Sequence, residues 1–407
     1  MRSLLQHRLA NCVTIFTAAL AVGLSFTVFA VNAQAKAAFL GGGGGYDAVL
    51  GARGSALQLV LNAVFHLETS PGNIPWSLYQ TVSESPGVER AVPLAVGDNY
   101  RGFRLIGTTR SFFDDPPSDS PAFRLHKNGR YFNPELREAV VGSSVARATG
   151  LNVGSEFNPY HGLIYDEEAR HQEEYVVVGV LEPTNSPVDK VVFIPIEGIF
   201  RMDGHVLRGA GENYVPSVGE SIPQEHREVS AVLLDLSNPQ VGFSLSQRVN
   251  RQGRVATLAF PIGRVVGEVF DKLGWAHRIL GLVSILVMFI AASSIVASLI
   301  QSLSSRERDF AILRALGMPR RNLIWLLVLE SALVSFLGSL GGFVVYGVAL
   351  LASSTIIRNQ TGVVLDIWSF HPVFIWGPML MTGLSATVGL LPAWRAYSSP
   401  VAEKLKG

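Results

Sequence analysis

Four stretches of this chain contain no Asp, Glu, Lys or Arg: 9–35, 279–305, 331–357 and 367–394. Each holds 27 or 28 residues of the 407. A helix needs about 20 apolar residues to cross the hydrocarbon core of a bilayer. One such stretch fits a buried helix of a soluble fold; four in one chain do not. Backbone polar groups in lipid must be satisfied internally, so the spans must be helical. The spacing predicts membrane helices near 10–32, 279–303, 323–350 and 372–394. Only 16% of the chain is charged, against about 25% in a typical soluble domain. The deficit sits in these windows.

The flanking charges orient the spans, because Lys and Arg accumulate in short cytoplasmic loops. Arg2 and Arg8 precede the first span, and Arg395, Lys404 and Lys406 follow the last. The loop after the second span carries Arg306, Arg308, Arg314, Arg320 and Arg321, whereas the loop after the third carries only Arg358. Both termini and the arginine-rich loop are therefore expected in the cytoplasm. The segment 33–275 is expected outside the cytoplasm. Ala33-Gln34-Ala35 resembles a signal-peptide cleavage site. The uncharged window before it is longer than the 7–15 residues or so of a signal h-region, so a retained span is expected.

The expected fold class is a membrane protein with four transmembrane α-helices, one plus three, and a large α+β extracytoplasmic domain inserted between helices 1 and 2. Its parts are an N-terminal tail and first helix (1–32), the outer domain with its stalk (33–275), and the remaining helices (276–407), which include a cytoplasmic loop at 304–322. The formal net charge of +1 gives no field for nucleic acid. The single cysteine, Cys12, excludes an intrachain disulfide and a cysteine zinc cage.

Within the outer segment, Tyr175–Leu181 and Val191–Pro195 read as buried strands, and 229–235 as a less regular one. Glu138–Gly150 reads as a strand running into a short helix closed by glycine. Residues 114–121 and 211–224 read as turn-rich loops. The run Gly41–Gly45 lacks the Lys-Ser/Thr of a phosphate loop and reads as a flexible joint. Apolar positions 262, 266, 269 and 273 have helical spacing, which predicts a stalk continuous with the second span and broken near Pro261.

No P-loop, Gly-x-Ser-x-Gly or His-Glu-x-x-His occurs, so an energy source has to come from a partner or an ion gradient. The loop Ser304–Arg321 reads as a short helix outside the bilayer. Ser305 suits its N-cap, Glu307 and Asp309 its first turn, and Gly317 its stop, with Pro319 opening the next helix. Phe310, Ile312, Leu313 and Leu316 give it an apolar face, which needs something to dock on.

This loop, Arg-Glu-Arg-Asp-Phe-Ala-Ile-Leu-Arg-Ala-Leu-Gly-Met (306–318), resembles the signature of the FtsX-like permeases, the MacB-type ABC transporter family. The tail Leu-Pro-Ala-Trp-Arg-Ala-Tyr-Ser-Ser-Pro-Val-Ala-Glu-Lys-Leu (391–405) resembles the ending of the same family. The one-plus-three layout is similar too. The resemblance implies a permease subunit without catalysis of its own, driven by a separate ABC ATP-binding subunit, itself a dimer, that holds ATP and Mg. It implies a homodimer or paired permease. It also implies that Arg306, Glu307, Arg308, Phe310, Ile312, Leu313, Arg314 and Leu316 belong to the helix that couples to the ATPase. The output would be mechanotransmission across a bacterial inner membrane to the periplasmic domain, for lipoprotein or lipid extraction or for export. A periplasmic or outer-membrane protein or lipoprotein would be the outer partner.

Three further features stand apart. Glu330 is an acid at membrane depth, which costs about 2.5–3.5 kcal/mol on insertion scales, and it is expected to face protein or water. Gly338 and Gly342 form a Gly-x-x-x-Gly pair suited to close helix contact, within one chain or between two. His161, Asp166, Glu167 and His171 crowd an outer segment with donors that suit a divalent metal, although a solvated acidic loop has the same composition. His66, with Glu68 nearby, joins that set only if the fold brings them together. The alternative for the whole chain is a membrane receptor or scaffold that binds a periplasmic ligand without transport.

Overall fold

The computed structural model describes residues 8–41, 45–114, 123–202, 222–305, 312, 316–361 and 365–398. The expected turn-rich loop 114–121, apart from Asp114, and most of 211–224 lie outside the described residues. The chain divides into two compact units. One takes in the chain up to Ala35, Leu273–Ile356 and the chain from Leu365; the other takes in Lys36–Lys272 and Ile357–Val364.

The first unit is helical. Its helices belong to α1 (Arg8–Gly41), α2 (Ile262–Ser305), α3 (Arg320–Thr361) and α4 (Val373–Ser398). Asn11–Ala37, Gly274–Gln301 and Ile324–Arg358 are each long and apolar enough to cross a bilayer. In α4 the apolar stretch among the described residues is Val373–Val388.

Helix α1 meets α3 through small residues. A Cβ added at Gly338 would lie 2.4 Å from the Cβ of Ala18, and one at Gly342 would lie 2.9 Å from Cγ1 of Val22. On the facing side, a Cβ at Gly23 would lie 2.5 Å from the Cβ of Val345. Only hydrogen fits at these points, so the two backbones approach closely and gain dispersion contacts that lipid would not give. The Gly-x-x-x-Gly pair thus packs within the chain. Above it, the ring of fully buried Phe26 lies 4.8 Å from that of Phe343 and 5.1 Å from that of Phe374, joining α1, α3 and α4. The side-chain carbonyl of Gln34 accepts the Asp366 N–H at 2.8 Å. The segment that resembles a cleavage site is therefore part of a packed helix. Buried Ser335 and Ser339 donate to the carbonyls of Ser331 and Ser335, each at 2.9 Å, so their hydroxyls are satisfied inside the helix.

The second unit is an α+β domain. Among its described residues, ten strands form one mixed sheet in the order β12-β1-β11-β3-β4-β9-β5-β8-β6, with β7 also paired to β3. These are β1 (Ala48–Ala52), β3 (Val88–Tyr100), β4 (Phe103–Thr108), β5 (Glu138–Val141), β6 (Glu156–Phe157), β7 (Tyr160–His161), β8 (Tyr175–Val180), β9 (Val191–Pro195), β11 (Ala231–Leu236) and β12 (Ala256–Ala259). A small pair is formed by β2 (Ile74–Pro75) and β10 (Glu228–Val229). Strands β8 and β9 occupy the segments that the apolar runs indicate. β5 leads into the helix Ser143–Thr149, which Gly150 closes at φ 79°. The run 229–235 is divided at Ser230, whose flanking residues pair with different strands.

Both faces of the sheet are covered. Successive side chains of a strand point to opposite faces. Leu50 accordingly packs in one cluster with Trp76, Ile194 and Leu245, while its neighbour Val49 packs in the other with Leu59, Phe113 and Phe193. Strands buried on both sides read as unbroken apolar runs. Ile262 and Val266, in the first turns of α2, belong to the second cluster. Helix α2 begins directly after Pro261 and is unbroken to Ser305.

Candidate functional site

Two regions carry the chemistry. The first is the loop between α2 and α3. Arg306, Glu307, Arg308, Phe310, Leu313 and Arg314 lie outside the described residues. Its described end fits the expected stop signals. The Leu316 N–H donates to the Ile312 carbonyl at 3.0 Å, and Gly317 follows at φ 93°, a conformation that favours glycine. Pro319 accepts the Asn322 N–H at 3.0 Å as α3 begins. Ile312 and Leu316 are 45% and 79% exposed. Glu330 sits part-buried within the apolar stretch Ile324–Arg358 of α3.

The second region is in the outer domain. The structure brings His161 and His171 together around Asp98. The Nδ1 of His161 is 3.4 Å from Oδ1 of Asp98, and Nε2 of His171 is 3.5 Å from the same oxygen. One donor atom from each residue lies within 4.8 Å of the others, an arrangement able to hold a cation. Asp98 escaped the sequence reading because only strand pairing places it there: β3 and β7 run antiparallel with Asp98 opposite His161. Asp166 and Glu167 are not in this group. Oδ1 of Asp166 instead accepts the Glu168 N–H at 3.1 Å, capping a short 3-10 turn, and Glu167 is exposed on that turn.

His66 lies elsewhere, beside a cavity of about 220 Å³ that Arg104 and Lys190 also line. Burial, and then the Arg104 guanidinium, push the His66 imidazole down to about 3, so it is neutral at physiological pH. Burial also lowers Arg104 and Lys190 from their ordinary values.

Residues 12–231 match the MacB-like periplasmic core domain, and residues 281–401 match the FtsX-like permease C-terminal domain. The chain is 24% identical over 380 residues to the lipoprotein-releasing system transmembrane protein LolC of Haemophilus influenzae, which covers 88% of this chain and 87% of that one. It is 28% identical over 193 residues to LolC of Neisseria meningitidis serogroup B, 42% of this chain and 46% of that one. It is 25% identical over 331 residues to the macrolide export ATP-binding/permease protein MacB of Brucella melitensis, 77% of this chain and 46% of MacB. The first domain match alone spans more than half of the chain, and the second takes in most of the three helices that follow it. By these matches, the chain belongs to the FtsX-like, MacB-type family of ABC transporter permeases.

Proposed function

We propose that this chain is a non-catalytic subunit that passes the work of a separate ATP-binding subunit to its outer domain. The observation that carries this is the joining, on one chain without a P-loop, of a MacB-like periplasmic core domain to an FtsX-like C-terminal part. ATP and Mg belong to the partner. Residues 306–316 dock in it, and exposed Ile312 and Leu316 support an apolar contact there. Both termini and this loop face the cytoplasm, and 33–275 faces the periplasm. The start of α2 supports transmission, since Ile262 and Val266 anchor it in the outer domain's core. The span helices expose large apolar side chains such as Leu282, Val344, Val348 and Trp376. These suit lipid on one side and a second permease, identical or paired, on another.

Extraction of a lipoprotein or lipid is the output favoured first, because the likeness to LolC covers nearly nine-tenths of both chains. Export of a small molecule comes second, on the likeness to MacB. No observation favours a receptor or scaffold without transport. Co-expression with the ABC ATP-binding proteins of the same organism should yield, with one of them, a complex that survives detergent extraction. Absence of any such complex, with the chain folded and in the membrane, would sink the proposal.

A further inference from the structure

The cluster around Asp98 is built on strands rather than on a loose loop. β3 bulges between Val96 and Asp98, and a bulge re-aims the side chains that follow it. Asp98 then faces His161 across the β3–β7 pair. Its neighbour Asn99 fixes the turn beyond β7: the Asn99 amide donates to the carbonyls of Tyr160, Gly162 and Ile164 at 3.4, 2.9 and 3.3 Å. The His171 N–H donates to the Pro159 carbonyl at 2.9 Å, which holds the segment around His171 beside the start of β7. The side chains of Asp98, His171 and His161 are 0%, 6% and 52% exposed.

The spacing is informative. Nitrogen-to-oxygen hydrogen bonds cluster near about 2.9 Å, and the two histidine contacts are 3.4 and 3.5 Å. Two ligands held about 2.0–2.1 Å from a tetrahedral zinc lie about 3.3 Å apart. Both Asp98–histidine separations therefore match donors arranged around one small cation, and the two imidazole donor atoms lie within 4.8 Å of each other. Charge points the same way. A fully buried carboxylate needs a positive partner. A divalent ion held between Asp98 and the two rings, whose centres are 5.5 Å apart, supplies that charge. Behind His171, Oε2 of Glu173 is 3.9 Å from its other nitrogen, a carboxylate near the ring but beyond hydrogen-bond distance.

We propose that Oδ1 of Asp98, Nδ1 of His161 and Nε2 of His171 bind one divalent transition-metal ion of the zinc class. Two imidazoles and a carboxylate suit zinc and disfavour calcium or magnesium. Three protein ligands leave a fourth position for water, and half-exposed His161 puts the site within reach of solvent. The ion would clip the segment from β7 to His171 onto β3. This site is independent of the permease reading and needs no ATPase to be tested.

The test uses the full-length chain in detergent, free of any histidine tag and stripped with a chelator. It is titrated with Zn²⁺ alone and, separately, with Co²⁺ alone. One Zn²⁺ per chain is expected to remain after dialysis, and Co²⁺ should give visible absorption bands of a low-coordinate N/O site. His161→Gln, a change at a half-exposed side chain, should weaken binding more than tenfold, as should His171→Gln. Asp166→Asn and Glu167→Gln should leave it unchanged. A wild-type chain that retains no Zn²⁺, or a His161→Gln chain that binds it as well as wild type, would overturn the site.

Discussion

Glu138 opens β5 almost completely buried, with its carboxylate hydrogen-bonded by the Arg130 guanidinium and by the Asn133 N–H at 2.8 Å. The Arg130 hydrogen bond, against the opposing effect of burial, holds this carboxyl below the ordinary carboxylate value. Its folded pKa is thus lower than its unfolded one. The stability it contributes is present above the unfolded value near 4.5 and is lost as pH falls through the folded value. His66 works in a different window. Its pKa falls from 6.5 unfolded to about 3 folded, so the neutral ring supports the fold above 6.5 and proton uptake by the unfolded chain erodes stability from there toward 3. Thermal unfolding of the purified chain should therefore weaken in two stages on acidification. His66→Asn, whose residue tolerates the φ of 56° found there, should flatten the slope between about pH 6.5 and 4.5. Glu138→Gln should flatten only the part below about 4.5. Asn99, fully buried with its amide shared among three carbonyls, makes a separate case. Asn99→Ala should destabilise by about 1–3 kcal/mol in chemical unfolding, because buried carbonyls lose their donor. A change below 0.5 kcal/mol or so would mean that water replaces the amide at no cost.

At the scale of elements, α1 and α3 depend on glycine where their backbones meet. Gly338→Ala should cost about 1–3 kcal/mol in thermal unfolding in detergent, since the new methyl has no room beside Ala18. Gly274→Ala in α2, where a Cβ meets nothing within 4 Å, should be neutral or stabilising by up to about 1 kcal/mol. Equal effects at both positions would contradict the close α1–α3 contact. The Gly-x-x-x-Gly motif was legible in sequence, but its partner was not, because small-residue spacing is the same whether the facing helix is in the chain or in another copy. The outer strands show a similar limit. β9 stood out as an apolar run, whereas β3 carries Pro93 and Gly97 within its length, signals that argue against a central strand. Pro93 is tolerated there, and its carbonyl accepts the Thr108 hydroxyl at 3.0 Å.

At the scale of the molecule, charge placement made the membrane layout legible, since lipid excludes charge and leaves its mark directly in sequence. The site around Asp98 was only half legible. His161 and His171 lie close in the chain, but the carboxylate that joins them arrives through long-range pairing, and nearby Asp166 is used to cap a turn. Orientation can be read with single cysteines after Cys12→Ser, since Cys12 is the only cysteine. Glu167→Cys should react with an impermeant maleimide in spheroplasts, and Arg321→Cys should react only after lysis; both positions are exposed. The reverse pattern would invert the topology. The central claim is that ATP turnover in a partner is coupled to this chain through residues 306–316. Its most direct measurement is the ATPase rate of the reconstituted complex, wild type against Phe310→Asp and Leu313→Asp. A charge placed on the docking face should abolish assembly or cut turnover by at least tenfold. Variants that assemble and hydrolyse ATP at the wild-type rate, with output unchanged, would contradict it.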